Sequence, residues 1–188
     1  MSKKSVGIDV DGVLANIHSP ALDIFAKRYG FLTKYNDISN WNYLQERYKI
    51  SRSQFLAVLD EAWVQWIDVP FVETTIVQDL GLLHHDFNVV LITKRTRGSL
   101  QNVLRWLQFH HFQFNELIFL MSGRNKLDFP IHFLVDDSPK IIEEAKRCNN
   151  KTVYLRSQPW NMKMTNLPNN VIRVVSLHQA VLDLINKL

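Results

Sequence analysis

The sequence predicts an α/β fold: a parallel sheet with helices on both faces and a small helical cap inserted after the first strand. Three observations carry this. Short β-branched runs alternate with amphipathic stretches along most of the 188 residues, the pattern of parallel strands joined by covering helices. Several of those runs end in a polar or acidic residue, as strands do when their carboxyl ends carry a site. Residues 15–75 break the alternation, hold no convincing strand and carry 11 of the 21 aromatic residues.

In chain order, the first strand spans residues 6–9 and closes on Asp9. Within the aromatic-rich stretch, Ser19-Pro20 opens a helix that Gly30 closes. Ser51 or Ser53 caps a second helix carrying Phe55, Leu56, Leu59 and Trp63. The second strand, 88–93, ends in Thr93, and residues 98–109 show helical spacing through Val103, Leu104, Trp106 and Leu107. Strands at 117–121 and 132–136 follow, the latter ending in Asp136. Pro139 directly after Ser138 marks a capped helix start for residues 138–148, with Ile141, Ile142 and Ala145 facing the sheet. Strands at 152–155 and 171–175 and a helix at 176–188 complete the chain. Residues 1–14 and 76–188 therefore form one α/β core, and 15–75 form the helical cap.

An apolar content of 46% with 21% charge excludes a disordered chain. No run approaches the ~18–20 apolar residues that span a bilayer, so no membrane association is expected. Cys148 alone makes neither an intramolecular disulfide nor a thiolate zinc site, and residues 1–10 lack the pattern of a signal peptide. Both readings point to the cytoplasm. The net charge of +4 favours anionic partners, but the basic residues are scattered. A phosphate-bearing small molecule fits as well as a nucleic acid, which is possible but not favoured.

The chemistry concentrates at strand ends. Asp9 and Asp11 lie two residues apart where Gly12 signals that the first strand stops, and Asp136-Asp137 end the apolar run 133–135. If both strands lie centrally in one sheet, four carboxylates converge. Two such charges ~5 Å apart repel by roughly 3 kcal/mol at an effective dielectric near 20, so a cation is required. Oxygen donors with no well-placed Cys or His select a hard ion, Mg²⁺ before zinc, which keeps positions open for water and phosphate. Thr93, followed by Lys94, and Lys126 supply a hydroxyl and ammonium groups suited to phosphoryl oxygens. These residues alone do not tell nucleophile from ligand among the aspartates.

The ordered set Asp9-Val10-Asp11-Gly12-Val13, Thr93, Lys126 and Asp136-Asp137, each at a strand end, resembles the haloacid dehalogenase (HAD) superfamily of phosphotransferases, which implies a Rossmann-like parallel sheet. Within it, the opening Asp-x-Asp-Gly-Val-Leu-Ala, the helical insertion after it and Arg124-x-Lys126 ahead of the Asp pair resemble the 5'(3')-deoxyribonucleotidases. Thr93-Lys94-Arg95 departs from the Thr-Ser-Pro usual in that group, and the Pro-Gly-Ala turn expected near Thr74-Thr75 is missing. The resemblance implies that Asp9 attacks phosphorus and forms an aspartyl-phosphate, while Asp11 serves as general acid and then base. Mg²⁺ is expected on Asp9, the Asp11 main-chain carbonyl and Asp136, with Asp137 and Arg124 behind them. Thr93, Lys94 and Lys126 are expected on the phosphate, and Trp41, Trp63 and Trp66 against a nucleobase. The implied substrate is a nucleoside monophosphate. Alternatives are another small phosphomonoester, the 3'-phosphate of a nucleic acid, or a binding module that keeps the fold without catalysis.

Overall fold

Six strands form one parallel sheet in the order β3-β2-β1-β4-β5-β6: β1 (Ser5–Ile8), β2 (Asn88–Thr93), β3 (Glu116–Phe119), β4 (Phe133–Asp136), β5 (Thr152–Arg156) and β6 (Val171–Val174). The computed structural model describes residues 3–30, 32–120 and 123–187. All six expected strands form. The third was expected to run to Met121, which, like Ser122 and Leu188, lies outside the described residues.

Side chains alternate between two apolar layers, as they must in a sheet buried on both faces. Val89, Leu91, Val135 and Tyr154 join one layer, and Val90, Ile92, Leu134, Val153 and Leu155 the other. The first layer is the thicker. It is covered by α4 (Ile76–Asp86), α5 (Leu100–Phe109) and α7 (Leu177–Ile185). The second is covered by α6 (Ile141–Ala145) and by Leu127 and Ile131 from the segment before β4.

Two expectations need correction here. The helix expected over 138–148 shrinks to five residues, and its N-cap is Lys140, with Ser138 and Pro139 in the preceding turn. Ser138 is taken up by the strand end, where its backbone N–H donates to Asp136 Oδ1 at 2.7 Å. Helix α4 had no counterpart among the expected elements, although its apolar residues Ile76, Leu80 and Leu83 are fully buried at helical spacing.

Between β1 and β2 run α1 (His18–Tyr29), α2 (Tyr43–Tyr48), α3 (Arg52–Val64) and then α4. Gly30 ends α1 in the left-handed conformation at φ 74°. Ser51 caps α3, accepting from the Gln54 N–H while the Gln54 side chain accepts in return. The chain leaves and re-enters at one place: Asn16 N–H donates to Pro70 O at 2.8 Å and Val72 N–H to Leu14 O at 3.0 Å. Phe25, Val58 and Trp63 of this segment share the apolar layer of the sheet.

Candidate active site

β1 and β4 are neighbours where the strand order reverses, the crevice in which open parallel sheets bind ligands. Ile8 pairs in register with Val135, so the next residues, Asp9 and Asp136, reach the carboxyl edge side by side. Beyond Asp9 the chain folds into a tight loop, with the N–H groups of Leu14 and Ala15 both donating to Val10 O. Gly12 stands in it at φ 77°, and a Cβ there would lie 2.1 Å from Asp137 Oδ2. Only glycine lets this loop close against that carboxylate.

Asp9, Asp136 and Asp137 each bring a carboxylate oxygen within 4.8 Å of the others, all three residues being buried. Lys126 Nζ lies 2.6 Å from Asp9 Oδ2 and 2.7 Å from Asp136 Oδ2. Burial pushes Asp9 up to about 7 against the pull of Lys126, with the Asp136 and Asp11 charges adding to the rise. Asp137 is raised well above the usual carboxylate range by burial and by Asp9 and Asp136. Burial draws the Lys126 ammonium down, but Asp136 and Asp9 outweigh it and hold the group above its ordinary value. One ammonium thus faces three buried carboxylates, and an additional cation would complete the neutralisation.

Thr93 ends β2 fully buried, and its Oγ1 has no hydrogen-bond partner among the described residues. Such a group costs about 1–3 kcal/mol unless something accepts from it. The cradle at Gly12, the all-oxygen donor set and this orphan hydroxyl fit a hard divalent ion beside a phosphoryl group. Asp137, expected behind the ligands, belongs to the carboxylate cluster itself. Asp11 turns its carboxylate away from the cluster to Arg95 and Trp63.

One cavity joins this edge to the inserted helices, lined by Asp9, Asp11, Lys126 and Asp136 at the sheet and by Ile38, Trp41, Leu44, Phe55, Leu56 and Leu59 opposite. Trp41 therefore stands where a base contact was expected. Trp63 and Trp66 do not. Trp63 is fully buried edge-on against Trp106, and Trp66 packs on Phe109, outside the cavity lining. Arg124 is also displaced from its expected place: its guanidinium lies over the Phe129 ring and only its carbonyl approaches the site, accepting from Lys94 Nζ at 3.2 Å. Lys94 lines the cavity mouth with Arg52 and Lys140. Burial and the Arg52 and Lys94 charges lower the Lys140 ammonium.

Sequence reasoning missed the support behind the loops. Gln158 Nε2 donates to Gly12 O at 2.7 Å, and Asn161 Nδ2 to Asp137 O at 2.8 Å. Tyr35 from the insertion donates to Gln158 Oε1 at 2.7 Å. All of these but Tyr35 follow the end of β5, so the strand-end rule that found Asp9 and Asp136 also covered them. His18, buried beside Trp160 at 4.4 Å between ring centroids, is held down to about 4 by burial and is neutral.

A profile of the family "5' nucleotidase, deoxy (Pyrimidine), cytosolic type C protein" matches residues 3–187. The chain belongs to this family. Members of this nucleotidase family are phosphoric monoester hydrolases, and the chain is an enzyme of that kind with a HAD-like fold. Its fold is similar to CbbY from Rhodobacter sphaeroides in complex with phosphate, at a TM-score of 0.62, 12% identity and coverage of 96% of this chain and 99% of that one. It is also similar to a HAD-superfamily hydrolase from Geobacter sulfurreducens (TM-score 0.60, 17% identity, 97% and 96% covered). The HAD-hydrolase YfnB from Bacillus subtilis, bound to magnesium, gives 0.59, 11%, 98% and 100%. No curated protein sequence gives a significant match. Among the described residues, no helix is long and apolar enough to cross a membrane.

Proposed function

We propose that this nucleotidase-family member hydrolyses nucleoside monophosphates with Mg²⁺ through an aspartyl-phosphate on Asp9, in the cytosol. The reading is carried by the meeting of Asp9, Asp136 and Asp137 around Lys126 next to the unpartnered Thr93 hydroxyl, at the floor of one cavity. Residues 15–75 act as the cap over that floor. Their apolar wall and Trp41 accept a base, and Gln45, whose Oε1 is buried without a partner, offers it an acceptor.

A carboxylate oxygen of Asp9 attacks phosphorus in line, the ester P–O bond breaks, and Asp11 gives its proton to the departing ribose oxygen. Asp11 then takes a proton from the water that attacks the phospho-Asp9, which releases inorganic phosphate and restores both side chains. Lys126 and Thr93 donate to the phosphoryl oxygens throughout. Mg²⁺ held by Asp9, Asp136 and the Asp11 carbonyl, with Asp137 beside them, supplies charge neutralisation to those oxygens when bound.

The test is phosphate release from a panel of ribo- and deoxyribonucleoside monophosphates, dUMP and dTMP included, with Mg²⁺ and with chelator. Turnover is expected only with the ion, and Asp9→Asn is expected to abolish it. A panel in which no nucleotide releases phosphate overturns the nucleotide reading. Arg52, Lys94 and Lys140 at the mouth favour a second substrate, a 3'-phosphorylated oligonucleotide, whose turnover would fall steeply with salt where that of a mononucleotide would not.

A further inference from the structure

Arg95 and Trp63 meet at one carboxylate. Arg95 leaves the end of β2 two residues after Thr93 and lines the cavity with its side chain 2% exposed. Its Nη2 donates to Asp11 Oδ1 at 3.0 Å. Its Nε lies 2.5 Å from Asp11 Oδ2 without hydrogen-bond alignment. Trp63, fully buried on α3, donates Nε1 to the same Oδ1 at 3.1 Å. Its indole stands edge-on to Trp106 at 5.7 Å, and the Arg95 guanidinium lies 5.9 Å from its ring. Neither donor swings away without opening the core. The two segments are tied again where Thr96 Oγ1 donates to Asp60 Oδ2 at 2.5 Å, Asp60 standing one turn ahead of Trp63 on α3.

We infer that Arg95 and Trp63 are positioning residues that anchor Asp11 through Oδ1 and leave Oδ2 as the oxygen that meets the substrate, granted the acid–base role read for Asp11 above. An aspartate side chain turns about its single bonds unless both ends are held, and proton transfer requires its oxygen within hydrogen-bond reach of the departing or attacking oxygen. Oδ1 accepts two aligned donors, which occupy its lone pairs, while Oδ2 lies against Arg95 Nε without alignment and keeps a lone pair for a further partner. The Asp11 side chain is 20% exposed and lines the cavity, so a ligand there can reach its carboxylate. Packing alone gives no reason for the arrangement, since a buried ion pair is replaced by apolar residues of similar volume at little loss of stability. Arg95 occupies the position at which the 5'(3')-deoxyribonucleotidases tend to carry proline, so the anchor goes with this chain's departure from their pattern. Through Trp63 and Asp60, helix α3 of the inserted segment holds both Asp11 and the loop after β2.

The test separates esters by how much their leaving oxygen needs a proton. A ribose alkoxide or a phenolate departs poorly without one, whereas p-nitrophenolate departs unaided. In Trp63→Phe and Arg95→Ala, kcat/KM, which reports the transfer of the phosphoryl group to Asp9, is expected to fall roughly tenfold or more on dUMP and on phenyl phosphate. On p-nitrophenyl phosphate kcat/KM is expected to fall less than about threefold, since acid assistance is the only part of that first step lost, while kcat falls on all three esters because the same Asp11 serves the hydrolysis of the phospho-Asp9. Added guanidinium ion is expected to restore part of the Arg95→Ala rate. A thermal shift with Mg²⁺ equal to that of the wild type shows that both variants fold and hold the ion. Equal losses of kcat/KM on the phenyl and p-nitrophenyl esters, or unchanged rates on all three, overturn the assignment. If the wild type cleaves the aryl esters but no nucleotide, the nucleotide reading fails while the ester comparison still decides this one. If it cleaves none of them, both fall.

Discussion

Thr93 keeps a buried hydroxyl with no acceptor among the described residues, and the proposed function offers a reason for the cost. On that reading a phosphoryl oxygen supplies the missing acceptor, so the penalty of about 1–3 kcal/mol borne by the free protein is released when substrate binds. Stability and activity should therefore move in opposite directions at this position. Thr93→Val is expected to leave the thermal midpoint unchanged or raise it, and to lower kcat by roughly 10²-fold, as loss of one donor to a developing oxyanion does. Parallel melting curves and steady-state rates check this. A variant less stable than the wild type and equally active would show the hydroxyl to be structural. Asp137 poses the same question for a carboxylate. Its backbone carbonyl is held by Asn161 and Trp160, its side chain is pressed against Gly12, and among the described residues its charge is opposed by Lys126, already shared between two other aspartates.

At the scale of elements, α4 and α7 are joined by a polar contact inside an otherwise apolar packing. Asp79 is 1% exposed, and its Oδ1 meets His178 Nδ1 at 2.7 Å while Oδ2 has no hydrogen-bond partner among the described residues. The hydrogen bond and charge of Asp79, aided by Glu73, raise the His178 imidazole above its ordinary value. A group raised on folding contributes stability that is fully present below its unfolded value, about pH 6.5, and is lost as pH rises through the folded one. With Mg²⁺ present, so that the active-site carboxylates stay ionised, the thermal midpoint should decline as pH rises above about 6.5. His178→Asn should flatten that decline, and an unchanged slope would assign the titration elsewhere. The sequence showed neither partner. Asp79 reads as an ordinary exposed residue of a helix that the strand-and-motif pattern passed over, because α4 follows the insertion with no Gly or Pro to mark its start. Strands were legible because their apolar runs are short, β-branched and ended by the residues that do chemistry, and Asp9, Thr93 and Asp136 came with them. The tryptophans were not. Helical spacing marks the buried face of α3, but not which buried side chains look into a cavity and which into the core, so the sequence does not separate Trp41, which lines the cavity, from Trp63, which is buried and donates to Asp11.

Across the whole molecule, the insertion and the sheet share one apolar layer, yet at the edge between them three buried carboxylates crowd one ammonium. In the metal-free protein three carboxylates face the Lys126 ammonium, and burial has pushed Asp9 up to about 7 and Asp137 upward as well. Acids raised on folding bind protons more tightly in the folded than in the unfolded state. Their contribution is thus present below about pH 4 and is lost as pH rises toward 7, which makes the metal-free fold weaken across that interval. A divalent ion reverses this dependence. It competes with protons for the same oxygens, so it binds poorly near pH 5 and well above pH 7. At an Mg²⁺ concentration of about 100 times its dissociation constant the fold gains roughly 2.7 kcal/mol, which for a chain of this size raises the thermal midpoint by roughly 5–10 °C. The expected result is a Mg²⁺-induced rise of that order at pH 8 and little at pH 5, with Asp136→Asn removing it at both. An equal rise at the two pH values, or one that survives in Asp136→Asn, would place the ion away from the edge where β1 and β4 meet, and the carboxylate cluster would then need another explanation.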